Sequence, residues 1–131
     1  MLSISKQTDY AVELILALSK LNESELLSLR AFSKQSTISF LFLQRIAKSL
    51  REARLIESVR GINGGYRLLK PASQISFREV IEAVQGPFSV LACTKKENCE
   101  LEAMCTAKHG LRSVEAEIAD LLGSRFVVSQ N

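Results

Sequence analysis

Apolar positions near the start of the chain recur at helical spacing. Tyr10, Leu14, Leu18 and Leu21, with Ala11, Ile15 and Ala17 beside them, predict a helix from about Ser5 to Leu21, ended by Asn22-Glu23-Ser24. A short helix follows from Leu29 to about Lys34, and polar Gln35-Ser36-Thr37 makes a turn. Ser39 is placed to cap a third helix that runs through Ile46 and Leu50 to about Ala53. Phe40, Leu43, Ile46, Ala47 and Leu50 form its core-facing side; Gln44, Arg45, Lys48 and Arg51 share the opposite one. Two helices joined by a tight polar turn make a helix-turn-helix.

The period then changes. Leu55-Ile56-Glu57-Ser58-Val59-Arg60 and Tyr66-Arg67-Leu68-Leu69-Lys70 flank Gly61-Ile62-Asn63-Gly64-Gly65, which reads as a β-hairpin stopped by Pro71. A hairpin directly after a helix-turn-helix is a wing. Ser76 and Glu79 have capping-box spacing and open a helix to about Gln85, closed by Gly86-Pro87. A charged loop carries Cys93, Cys99 and Cys105, and beyond it Leu111, Val114, Ile118 and Leu121 form an a/d stripe on a last helix. That stripe either covers the domain's own core or forms a dimer seam. The expected fold is mainly α (α+β): a winged helix-turn-helix over 1–88, a cysteine loop over 89–106, and a long dimerisation helix with a tail over 107–131.

The 131 residues, 47% apolar and 24% charged with mean hydropathy +0.10, describe an ordinary soluble domain with one core. No apolar run approaches the ~20 residues of a membrane span, and the start lacks a secretory signal, so the expectation is a cytoplasmic protein with no membrane partner. Charge is segregated. Residues 30–70 hold nine Lys or Arg against two acids, a local +7, whereas the rest holds eight against twelve, −4. A compact basic segment is the footprint of a polyanion, usually nucleic acid, although a merely solvated charged face has the same composition.

All three cysteines lie within thirteen residues. Thiolates are soft ligands suited to iron–sulfur clusters and zinc, and five-residue gaps fit a multi-iron cluster better than the close Cys pairs of structural zinc. Lys95, Lys96 and neighbouring acids keep the loop exposed, against a reading as three buried small hydrophobes. A cluster-free thiol switch, with two cysteines forming a reversible disulfide, is the other chemistry open to them. With one His and no nucleophile–base pairing at recognisable spacing, the chain is not expected to be an enzyme.

Ser-Val-Arg-Gly-Ile-Asn-Gly-Gly-Tyr-Arg-Leu at 58–68, the two equal cysteine gaps, and the opening Leu2-Ser3-Ile4-Ser5-Lys6-Gln7-Thr8-Asp9-Tyr10-Ala11 resemble the IscR/NsrR family of iron–sulfur winged-helix transcription regulators. The opening is similar to the branch linked to the SUF cluster-assembly operon. The resemblance implies a homodimer on a double-stranded DNA operator, controlling iron–sulfur assembly genes, with cluster-assembly proteins as donors. It implies a cluster, 2Fe-2S favoured over 4Fe-4S, held by Cys93, Cys99 and Cys105. The fourth ligand would be Asp9 from the other subunit or, alternatively, His109, since Lys108 occupies the place of the histidine that some members use. A nitric-oxide or redox repressor with the same site is one alternative; a cluster-carrying interaction module without DNA binding is another.

For DNA, the resemblance points to Ser39, Gln44, Arg45, Lys48 and Arg51 on the third helix and to Arg60, Gly61, Asn63, Gly64, Gly65 and Arg67 in the wing, with Arg60 reaching the minor groove. The wing glycines are expected to take positive φ close to phosphates, in a turn that Asn63 also tolerates. Three positions depart from the family pattern: Gln44 replaces a glutamate, Leu41 a small polar residue, and Arg54 a frequent glycine.

Overall fold

Serine hydroxyls start four of the helices in the computed structural model, which describes residues 4–88 and 108–128. Ser5 caps α1 (Lys6–Ser19), Ser28 caps α2 (Leu29–Gln35), Ser39 caps α3 (Phe40–Glu52) and Ser76 caps α4 (Phe77–Gln85). Each accepts the amide hydrogen of the residue three positions on, which satisfies a donor the helix cannot. At Ser76 the expected capping box is complete: Glu79 reaches back to the Ser76 amide at 2.8 Å. α1 stops two residues short of the predicted end, and Leu21 packs from the following loop instead.

β1 (Ile56–Val59) and β2 (Gly65–Leu68) pair antiparallel, with Ile56 opposite Leu68 and Val59 opposite Gly65. Leu27, just before α2, adds a single-residue bridge to Tyr66 through two backbone hydrogen bonds of 2.9 Å each. A 3₁₀ turn, Ala72–Gln74, leads into α4, and Gly86 ends that helix with φ 88°. The last helix, α5 (Lys108–Ser124), packs against α4. Its trailing segment then runs back beside the start of α4: the Phe77 amide donates to Arg125 O and the Val127 amide to Ile75 O, both at 2.9 Å.

The core gathers one face from each helix. Leu14 and Ile15 of α1, Leu43 and Leu50 of α3, Ile56 of β1 and Val80 of α4 are fully buried together. Each such side chain stabilises the fold by roughly 1.5–3 kcal/mol relative to exposure. α5 behaves differently. Leu111, Val114 and Leu121 remain 46%, 50% and 53% exposed, so three of the four stripe positions do not cover this subunit's core. The predicted cysteine loop lies outside the described residues.

Candidate nucleic-acid interface

Burial divides α3 cleanly. Leu43, Ile46, Ala47 and Leu50 are buried, while Leu41, Gln44, Arg45, Lys48 and Arg51 form an exposed strip at offsets of three, four, seven and ten residues. The Ser39 hydroxyl oxygen accepts the Phe42 amide at 3.2 Å, so this predicted DNA contact first acts as the helix cap. α2 holds α3 from below through the turn between them. Ser33 Oγ donates to Ile38 O at 2.9 Å, and Ile38 is buried. The Arg30 guanidinium sits 4.7 Å from the Phe40 ring centroid, a cation–π contact that places a positive charge beside the first turn of α3.

The far end of α3 turns sharply into the wing. Arg54 adopts φ 61°, donating its amide to Arg51 O, while Leu55 donates to Leu50 O, each at 3.0 Å. This is a Schellman motif, with its accompanying apolar contact supplied by the buried pair Leu50 and Leu55. It aims β1 away from α3 and brings Arg51 Nη1 within 3.5 Å of Ser58 Oγ. Beyond Val59, the wing tip exposes Arg60, Gly61, Ile62 and Asn63.

The wing glycines do their work differently from the expectation. Only Gly61 has positive φ, 133°; Gly64 and Gly65 do not, and neither does Asn63. What the latter two glycines provide is close backbone approach. A Cβ on Gly64 would stand 2.2 Å from Val59 O, inside the turn closed by the Gly64 amide on Gly61 O. A Cβ on Gly65 would stand 2.6 Å from Leu27 O, so the absence of a side chain here lets the Leu27 backbone pair with the sheet. Arg67 is paired as well. It lies opposite Glu57 in the hairpin register and forms an ion pair with that carboxylate. Among the described residues, Gln44, Arg45 and Lys48 of α3 and Arg60 of the wing have no side-chain partner, whereas Arg51 and Arg67 each have one.

Of the predicted sensing side chains, Asp9 is the one that the structure describes. Asp9 is exposed on α1 and lines a groove of about 410 Å³ with Val12 and Glu13 of the same helix, Ile4 ahead of it, Phe77 and Ile81 of α4 and Leu122 of α5. Among the described residues no three His, Cys, Asp or Glu groups converge as a metal site, so Asp9 alone makes no donor set. Cys93, Cys99 and Cys105 and the His109 side chain lie outside the described residues. A second feature, invisible to residue spacing, fixes Asp9's turn: Thr8 Oγ1 donates to Gln85 Oε1 at 2.5 Å, and the Ser5 amide donates to the same oxygen at 3.2 Å.

Comparison with known proteins fits this architecture. A family model described as Rrf2, iron-dependent transcriptional regulator, matches residues 4–127. The chain belongs to the Rrf2 family. The HTH-type transcriptional regulator NsrR of Oceanobacillus iheyensis is 30% identical over 110 residues, covering 82% of this chain and 75% of NsrR. IscR of Cereibacter sphaeroides is 44% identical over 70 residues, 53% of this chain and 45% of IscR. The crystal structure of oxidized Staphylococcus aureus CymR superposes with a TM-score of 0.72 at 28% identity, covering 96% of this chain and 93% of CymR. As a member of the Rrf2 family the chain is a DNA-binding regulator of transcription and not an enzyme. The exposed strip of α3 and the wing are the candidate surfaces for that binding. No helix among the described residues is long and apolar enough to cross a membrane.

Proposed function

We propose that this Rrf2 regulator is a homodimer whose hold on an operator is set by an iron–sulfur cluster at Cys93, Cys99 and Cys105, with Asp9 of the partner subunit completing the ligand set. The exposed carboxylate of Asp9 carries this reading: it lines an open groove with Glu13, and the described residues supply no group of three donors around it. Three thiolates match iron–sulfur donor chemistry, and a carboxylate would complete the set as a harder ligand. The family model's description as iron-dependent supports the same assignment. When bound, the cluster supplies a centre that can be gained, lost or oxidised.

The chain's own residues do the rest. The α5 stripe of Leu111, Val114 and Leu121 buries against its counterpart, which sets two α3 strips and two wings at a fixed spacing. Gln44 and Arg45 address base edges, Lys48 and Arg51 neutralise phosphates, and Arg60 enters the minor groove. Anchoring or releasing the 93–105 loop shifts the population between dimers whose two reading faces match the operator and dimers whose faces do not. The regulated genes are those of iron–sulfur assembly, and a 2Fe-2S cluster is the expected form.

Protein purified without oxygen should carry visible absorbance with equimolar iron and sulfide, lost in each Cys→Ser variant. Asp9→Ala should weaken cluster retention more than His109→Ala. Absence of both iron and sulfide overturns the cluster and leaves a thiol switch as the reading of the loop. A nitric-oxide signal is the second reading, favoured by Asp9, because a carboxylate is a harder and more readily displaced ligand than thiolate or imidazole. Operator affinity unchanged at stoichiometric nitric oxide eliminates it.

A further inference from the structure

The first turn of α3 reads Phe40-Leu41-Phe42-Leu43, and three of its four apolar side chains have an evident use. Phe40 lies under the Arg30 guanidinium, Phe42 meets the Tyr10 ring edge-on at 5.4 Å, and Leu43 is fully buried. Leu41 has none. It is 72% exposed, and it heads the polar strip, three residues before Gln44, four before Arg45 and seven before Lys48. An unburied leucine forgoes the transfer free energy its neighbours collect. Its place among residues that draw in a polyanion says what covers it.

We propose that Leu41 is a specificity-determining residue that packs on the C5-methyl group of a thymine in the major groove. In helix-turn-helix proteins the N-terminal residues of the recognition helix are the ones that contact base edges. The thymine methyl is the apolar group that a base presents in that groove. Leu41 has neither donor nor acceptor, so it rewards thymine by apolar contact and disfavours a cytosine amino group, which it would strip of water without replacing the hydrogen bond. Gln44, one turn further along the same strip, has the bidentate amide that suits adenine. Together they predict a thymine within a few bases of an adenine in each half-site. The proposal rests on DNA binding by the family fold, and the experiment tells the two failures apart.

Sites are selected from a random duplex library with the full-length protein, and each thymine of the selected site is then replaced singly by deoxyuridine, which removes only the methyl. Affinities at one fixed salt concentration are compared for the wild type and Leu41→Ala, with thermal melts of both. The wild type should lose about fourfold at one thymine per half-site, the fold-change that corresponds to burying one methyl-sized group. Leu41→Ala should bind the thymine and deoxyuridine sites equally and melt as the wild type does. Retained DNA with no deoxyuridine-sensitive position overturns the proposal and leaves a protein partner as the occupant of Leu41. A Leu41→Ala variant that keeps the discrimination overturns it, as does one whose melt falls, marking the side chain as packing. Recovery of no sequence-selective DNA overturns both this and the DNA-binding reading.

Discussion

Replacing Arg54 by glycine should stabilise the protein while weakening its electrostatic hold on DNA. Arg54 occupies the left-handed region, φ 61°, at the close of α3, and both backbone hydrogen bonds of the Schellman motif depend on that conformation. A Cβ there costs about 1–2 kcal/mol through its clash with the following carbonyl. Glycine removes that cost but returns about 0.5–1 kcal/mol in unfolded-state entropy. The balance is a net gain of about 0.5–1 kcal/mol, which for a domain of this size raises the melting temperature by about 2–6 °C. Arg54→Ala is the control. It deletes the same charge and keeps the Cβ, so its melt should stay near that of the wild type.

Thermal melts by circular dichroism measure the first effect, and DNA affinity as a function of salt measures the second. Both variants should lose affinity together, with a salt slope shallower by about one if the guanidinium neutralises one phosphate. Arg54→Gly melting at or below the wild type would refute the strain argument. So would Arg54→Ala gaining as much as Arg54→Gly, since alanine leaves the clash in place. The expected pattern means that this chain carries a strained residue for the sake of a charge beside the wing, at a position where the resembling family often has glycine.

Three further outcomes follow from the same structure. Gly65→Ala drives a methyl to 2.6 Å from Leu27 O and should break the Leu27–Tyr66 bridge, destabilising the fold by about 1–3 kcal/mol in urea titrations; an unchanged midpoint contradicts the close approach. Burial pushes the Glu79 carboxyl up, but the Lys70 ammonium and the Ser76 amide outweigh it and hold the group below its ordinary value of 4.5. A carboxylate depressed in the folded state adds stability above its unfolded value, and that stability disappears as pH falls through the folded value. Glu79→Gln should accordingly flatten the loss of stability between neutral pH and pH 3, and an identical acid limb would refute the assignment. Val114→Asp with Leu121→Asp places two charges in the exposed α5 stripe and should convert a dimer to a folded monomer in light scattering. The loss is at least about hundredfold in association, and a dimer that survives the double change moves the seam elsewhere.

Features encoded within a few residues were legible in the sequence. Ser39 as a cap, the Ser76–Glu79 box, the hairpin around Gly61–Gly65 and the two faces of α3 each follow from spacing that a helix or strand period makes visible. Features made by single residues pairing across the chain were not. The Leu27–Tyr66 bridge and the return of Phe126 and Val127 beside Ile75–Phe77 involve no run long enough to show a period. The glycines show the same limit. A sequence signals that glycine is wanted, but whether for positive φ, as at Gly61, or for want of a Cβ, as at Gly64 and Gly65, depends on which backbone passes beside it. The ion pair of Arg67 with Glu57 was out of reach for a similar reason, because it is set by strand register.

The position of Asp9 gives the proposed sensor a physical route to DNA. Its neighbours in the chain, Thr8 and Tyr10, are tied in two directions: Thr8 to Gln85 at the end of α4, and Tyr10 edge-on to Phe42 in the first turn of α3. Phe42 is flanked by Leu41 and precedes Gln44 by two positions, so a shift of the Asp9 turn is passed to residues that face the groove. Close-packed interiors resist graded deformation, and the fully buried Ala11, Leu14 and Leu43 leave no slack between α1 and α3 to absorb such a shift. A pull on Asp9 therefore moves α1 and α3 as one body, or it moves neither. In the proposed dimer joined through α5, that body would rotate relative to its counterpart, and the quantity altered would be the spacing of two reading strips rather than the contacts of either one. Control of this kind changes operator affinity without touching any base-contacting residue.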